Sequence, residues 1–140
     1  MREILFRGKV PEDCPYENLR GQWVEGSLVH QTEYYGSPVD RYHILYTGEF
    51  DCDFYDSVVV IPETIGQFTG LLDKNGKKIF EGDIVKGSIL YDVGCYPHEE
   101  ILTQPVIFTE AKFWPVNRLM EATIEVIGNI HDNPELLEVK

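Results

Sequence analysis

The sequence predicts a mainly β fold: one domain over residues 1–140, with many short antiparallel strands forming a barrel-like or sandwich core. An α+β arrangement is the alternative. Three observations carry the prediction. The apolar runs are short, rich in Val and Ile, and bounded by Gly, Pro, Asn and Asp. Tyr and Phe, which favour strands, occur 8 and 7 times. Asp73-Lys74-Asn75-Gly76 lies between two such runs and is a strong hairpin signal, because Asn and Gly accept the positive φ of tight turns. With 140 residues and 43% apolar content, the chain can build a core without metal or disulfide staples.

The elements follow in order. Arg2–Gly8 reads as a short strand with charged shoulders, and residues 11–20, with two prolines, as a loop or single helical turn. Gln22–His30 resumes a strand pattern, with Gly26 placed to form a bulge. Arg41–Tyr46 alternates as a strand, and Ser57–Ile61 is a continuous apolar run ended by Pro62, the pattern of a buried strand. The hairpin at Asn75-Gly76 comes next, then a second bend at Gly82-Asp83, from which Ile84–Tyr91 leaves as a strand. Residues 92–104 are polar, contain Gly94 and Pro97, and read as a loop, while Pro105–Trp114 reads as a strand. Pro115–Glu121 is expected to be a short helix, since Pro suits a first helical position. Thr123–Ile130 alternates as a strand. Asn133 as N-cap, Pro134 at N1 and Glu135 in the first turn predict a terminal helix over Pro134–Glu138.

The net charge of −12 is unevenly distributed. Residues 21–60 carry seven acids and one base, and residues 91–140 nine acids and three bases, whereas residues 1–20 and 61–90 are balanced. Two segments of −6 each repel phosphate at long range, which disfavours direct nucleic-acid binding. Plain solubility accounts for the same charge. The opening MREILFRGKV contains no apolar h-region, and no run of 18 apolar residues exists, so the expectation is a cytoplasmic protein that makes no use of a membrane. Cys14, Cys52 and Cys95 are widely spaced, encode no Cys-x-x-Cys site and are expected to be reduced.

Candidate chemistry is sparse. In an extended Glu49–Asp56, period-2 geometry puts Glu49, Asp51 and Asp53 on one face, where three carboxylates could gather calcium or magnesium. Without a tight ligand loop, a solvated acidic strand face is the simpler reading. His98-Glu99-Glu100 could touch a cation in the expected 92–104 loop, yet neither a His-Glu-x-x-His helix nor a His-x-His pair supports it. Cys95 lies three residues from His98, but nucleophile–base pairs form between distant elements, and Cys52 falls on an apolar face where thiols are inert. Gly66-Gln67-Phe68-Thr69-Gly70 lacks the Lys-Ser/Thr of a phosphate loop. Lys74, Lys77 and Lys78 beside the hairpin read as protection against edge pairing. No residue is therefore assigned as catalytic, cofactor-binding or metal-ligating, and no cofactor is expected.

Three stretches in order resemble the YopX family of phage and prophage proteins: Arg2-Glu3-Ile4-Leu5-Phe6-Arg7, Ile65–Val85 (IGQFTGLLDKNGKKIFEGDIV) and Val126–Leu136 (VIGNIHDNPEL). Trp23-Val24-Glu25-Gly26 resembles that family's early strand. The likeness spans both ends and the middle, with residues 31–57 and 87–122 adding nothing to it. It implies a mainly β fold, encoded in phage genomes or integrated prophages, and brings no assigned activity and no catalytic residue. The functional expectation is a non-enzymatic accessory protein acting through contacts with an unidentified protein partner or with further copies of itself. One alternative is an acidic mimic of DNA that occupies a host DNA-binding protein. Another is a small metal-dependent hydrolase using Asp51, Asp53 and His98.

Overall fold

The computed structural model describes residues 4–45 and 57–137. The Glu49, Asp51, Asp53 face and Cys52 lie outside the described residues. The chain forms two compact units, Met1–Gln67 and Phe68–Lys140, each with its own apolar core. The structure is mainly β and antiparallel throughout, as the sequence predicts, and no ladder among the described residues closes into a barrel.

In the first unit, β1 (Phe6–Lys9), β2 (Trp23–Tyr35), β3 (Ser37–Leu45) and β4 (Ser57–Val59) form a sheet in the order β4–β3–β2–β1. At the far edge of β1, Arg7 and Phe6 pair with Gly66 and Gln67, the first residues of β5 (Gly66–Leu72). Val10, Cys14, Val24, Ile44, Val58 and Val60 make the core. The expected bulge at Gly26 is absent: Gly26 sits in regular register opposite Phe6. A different glycine is constrained, since a Cβ on Gly8 would lie 2.8 Å from Val60, so only hydrogen fits there. The 11–22 loop returns on itself, with the Val10 amide donating to the Gln22 carbonyl (2.9 Å) and the Gly21 amide to the Val10 carbonyl (2.9 Å), around one 3₁₀ turn at Glu17–Leu19.

The second unit continues β5 into a pairing with β6 (Lys78–Phe80) and adds β7 (Asp83–Val93), β8 (Tyr96–Pro105), β9 (Ile107–Thr109), β10 (Lys112–Trp114) and β11 (Glu125–Asn129). The last of these forms a sheet in the order β11–β7–β8, and β9 pairs with β10. Ile79, Val85, Val106, Phe113, Val116, Leu119 and Ile124 fill the core.

Three local expectations are corrected here. Residues 92–104 are not a loop: Asp92 and Val93 extend β7, Gly94 (φ +64°) and Cys95 turn, and Tyr96–Pro105 returns as β8. Polarity along this stretch reflects exposure of the ribbon on both faces, not irregular backbone. Pro105–Trp114 is not one strand but a hairpin, folded at Glu110 (φ +50°) and Ala111 (φ +61°). Pro115–Glu121 is not a helix. It makes one turn, with the Arg118 and Leu119 amides donating to the Pro115 carbonyl (2.9 and 3.1 Å), before the Met120 amide leaves to donate to Ser88 on β7 (2.8 Å). A 3₁₀ turn at Glu121–Thr123 follows. The expected short terminal helix over Pro134–Glu138 is present as a 3₁₀ helix over Pro134–Leu137, with Glu138 outside the described residues.

The turn residues of the central stretch do more than reverse the chain. Asp73 is buried, and its Oδ1 accepts from the Asn75 and Lys77 amides (both 2.9 Å), while Oδ2 accepts from the Val126 amide of β11 (3.0 Å). The neighbouring Lys74 amide donates to the Ile124 carbonyl (2.8 Å), so the hairpin is fastened to β11 by main chain and side chain together. Asp83, also buried, accepts from the Phe80 amide at 2.8 Å and closes the bend at Gly82 (φ +92°). On β11 a Cβ at Gly128 would lie 2.7 Å from Asn133 Oδ1, whose oxygen accepts from the Asn129 amide (3.2 Å). The Asn129 side-chain oxygen in turn accepts from the His131 and Asp132 amides (3.0 and 2.9 Å).

Burial alone would raise the Asp73 carboxyl, but its three backbone donors and the nearby Lys77 outweigh it and hold the group below the ordinary 3.8. Its contribution to stability is therefore complete above that ordinary value and is lost as pH falls through the lower folded-state value. Replacing Asp73 by Ala strands three amides, and a loss of about 3 kcal/mol in urea unfolding is expected, shrinking as pH falls below about 4. At Ala111 the positive φ is strained for an L-residue with a side chain. Ala111→Gly should raise stability by about 0.5–1 kcal/mol, read as a higher urea midpoint; a lower midpoint would contradict this backbone conformation.

Candidate interaction surface

Each unit carries a long two-stranded ribbon. In the first, β2 and β3 stay paired from Ser27–Leu45 to Tyr35–Ser37, beyond the short β1 and β4. In the second, β7 and β8 pair from Ile84–Pro105 to Val93–Tyr96, whereas β11 covers β7 only from Asp83 to Lys86. An isolated two-stranded hairpin is marginally stable in water, so the parts of a ribbon nearest the core are held by it and the outer parts stand exposed.

Cross-strand pairs assign the faces of the first ribbon. Leu28 and Ile44 sit at the core end of one face, and His30 with Tyr42, then Thr32 with Asp40, then Tyr34 with Pro38, follow outward. His30 stacks on Tyr42 at 4.6 Å, and its Nε2 lies 3.0 Å from Asp40 Oδ1, which also accepts from the Thr32 hydroxyl (2.8 Å). The Thr32 bond first, and the His30 bond after it, hold the exposed Asp40 carboxyl below its ordinary range. On the other face Arg41 Nε donates to Glu33 (3.1 Å). Beyond this network Tyr34 stands 78% exposed.

The second ribbon is more apolar. Ile89 and Leu102 pack on the core at its base, and the same face continues through Tyr91 with His98 to Val93 with Tyr96. Tyr91 and His98 stack at 5.6 Å. Leu90 and Ile101 are exposed on the opposite face, which also carries Asp92 and Glu99. The outer ribbon thus combines five large exposed apolar or aromatic side chains (Leu90, Tyr91, Val93, Tyr96, Ile101) with Asp92, Glu99 and Glu100 and without a Lys or Arg.

The residues singled out in the sequence are placed as follows. His98 and Glu100 fall on one face of β8 and Glu99 on the other, so the three do not converge, and the His98 ring lies against Tyr91. Among the described residues, no three His, Cys, Asp or Glu side chains are grouped to hold a metal ion. Cys95 is exposed at the ribbon turn. Lys74 Nζ is 3.2 Å from Glu125 on β11, so that lysine braces its own unit.

Sequence reasoning missed a cleft in the first unit. About 420 Å³ in volume, it is lined by Cys14, Tyr16, Arg41, His43 and Val58 among others. Among the described residues the buried His43 Nε2 has no hydrogen-bond partner, and it is not paired with the Cys14 thiol. Cys14 comes from a loop and His43 from β3, and nothing in either local sequence signals the other. A smaller depression of about 190 Å³ in the second unit is lined by Lys74, Lys86, Ser88 and Glu125 among others.

These features define a class: an antiparallel, turn-built β protein whose exposed apolar side chains concentrate on two-stranded ribbons. The YopX protein family model matches residues 6–138, and the chain belongs to that family. No curated protein matches it. Among solved structures it is similar to the crystal structure of protein EF1440 from Enterococcus faecalis, with 27% identity over 99% of this chain and 100% of that one, and a TM-score of 0.45. No helix among the described residues is long and apolar enough to cross a membrane.

Because the ribbon tips touch little of either core, Tyr34→Ser and Tyr96→Ser should each shift unfolding free energy by no more than about 0.5 kcal/mol. Ile44→Ala, at a fully buried position, should cost about 3 kcal/mol. Chemical denaturation of the three variants checks both statements. A large loss from either tyrosine would place its ring in a packed core.

Proposed function

We propose that this is a non-enzymatic accessory protein of a phage or prophage, acting through protein–protein contacts made by its ribbons. The observation that carries the reading is the exposed apolar and aromatic surface of the β7–β8 ribbon. Solvated ribbons are normally polar on at least one face, whereas this one exposes Leu90 and Ile101 on one face and Tyr91, Val93 and Tyr96 on the other. The phage and prophage setting that the family resemblance implies supports the accessory role. The non-enzymatic part of the reading follows from the sequence, whose family resemblance brings no catalytic residue.

Affinity capture from host cells, comparing the wild type with Tyr96→Ser/Ile101→Ser and with the cleft variant His43→Ala, tests the proposal. The expected result is a captured protein lost with the ribbon variant and retained with His43→Ala. Turnover of a nucleotide, sugar or ester by the purified protein, abolished by His43→Ala and untouched by the ribbon variant, would overturn it.

A further inference from the structure

The outer ribbon has two edges, and they differ in kind. The free edge of β8 carries Pro97, which cannot donate, followed by Glu99 and Glu100, a sequence that discourages strand addition. The free edge of β7 reads Ile89-Leu90-Tyr91-Asp92-Val93, with one acid and no proline. Main-chain polarity along it is fixed by Ser88. The Ser88 amide donates to Thr123 Oγ1 (2.9 Å) and its carbonyl accepts from the Met120 amide (2.8 Å), so both groups point away from β8. Alternation along a strand then turns the amides and carbonyls of Leu90 and Asp92 to the same side, where no described strand covers them.

We infer that this edge pairs with the same edge of a second copy, antiparallel about a two-fold axis at Tyr91, so that two ribbons join into one four-stranded sheet. The inference rests on the reading of the ribbon as a contact surface and names its occupant. Geometry allows few registers. Antiparallel strands exchange hydrogen bonds only between positions whose groups face each other, here Leu90 and Asp92, because those of Ser88 are already engaged. Placing Leu90 opposite Leu90 would set Asp92 against the occupied Ser88. Placing Asp92 opposite Asp92 would oppose two carboxylates, which is destabilising. Pairing Leu90 with the partner copy's Asp92 avoids both faults and forms four main-chain hydrogen bonds, two around each Leu90–Asp92 pair. In that register Tyr91 faces Tyr91 and Ile89 faces Val93, an aromatic and an aliphatic cross-strand pair on the face continuous with the core. Tyr91 and Val93, 43% and 53% exposed in one copy, become covered. The assembly is isologous and closes at two copies, since each copy offers the β7 edge once and the β8 edge is guarded.

Charge gives the pairing a distinctive signature. Each copy carries −12, so long-range repulsion opposes association and salt relieves it. Sedimentation equilibrium of the full chain across the micromolar range, at low and high salt, measures this directly. A monomer–dimer equilibrium that tightens with salt is expected. Tyr91→Lys should weaken it by about tenfold or more, because two lysines then face each other. Tyr91→Glu should do the same, and mixing the two variants should restore a heterodimer. Leu90→Pro, which removes an outward amide the ribbon itself does not use, should abolish the dimer; retained far-ultraviolet circular dichroism and thermal midpoint show that each variant folds. A monomer at all concentrations and both salts would overturn the inference. So would a dimer indifferent to Leu90→Pro and to both Tyr91 variants. Loss of self-association in Tyr91→Lys with undiminished capture of a host protein leaves the contact role standing and separates the two.

Discussion

One buried carboxylate organises the second unit. Asp73 sits at the end of β5, where a hairpin must reverse the chain and where β11 begins its pairing with β7. Two of its acceptor interactions shape the turn and the third reaches a strand 53 positions later. Neutral acceptors could serve the turn alone, but a carboxylate has lone pairs enough for all three donors and binds them more strongly. With Asp73 in place, β11 lies along β7, Ser88 is reached by Met120 and Thr123, and the point at which β7 loses its second neighbour is determined. The exposed edge is thus a consequence of where this fastening stops.

How much of this was legible in the sequence follows the range of the interactions involved. Asn75-Gly76, Gly82-Asp83 and Asn133-Pro134 are local devices whose residue types announce their backbone, and each is found as a turn. The family motifs are made largely of such positions, which explains why they identify the fold. Residues whose role is set by remote partners were not legible. Glu110 and Ala111 turn a hairpin with residue types that give no sign of positive φ. Pro115 begins a helix-like turn that ends because Met120 finds a carbonyl on β7. The polar stretch 92–104 lacked the hydrophobic-in, polar-out alternation by which a strand is recognised, because the outer ribbon has no core to face on either side.

The candidate surface was hidden for the same reason. His98, Glu99 and Glu100 form a string of polar groups in the sequence, but strand geometry divides them between two faces, and their informative neighbours are Tyr91, Leu90 and Ile89 across the ribbon. Only the pairing register reveals that the apolar face runs from the core out to Val93 and Tyr96. Acidic residues then acquire a second meaning. In the proposed pairing, those on β8 guard one edge, and their absence from most of β7 leaves the other edge open.

We propose that the β7 edge beyond Ser88 is a built contact surface. Amide hydrogen exchange resolved to single residues tests it most directly, because within one copy the Leu90 and Asp92 amides face solvent while those of Tyr91 and Val93 face β8. If two copies pair along this edge, protection at Leu90 and Asp92 is low in dilute protein and rises with concentration, while Tyr91 and Val93 change far less. Fast exchange at Leu90 and Asp92 at every concentration, or protection already complete in dilute protein, would contradict it.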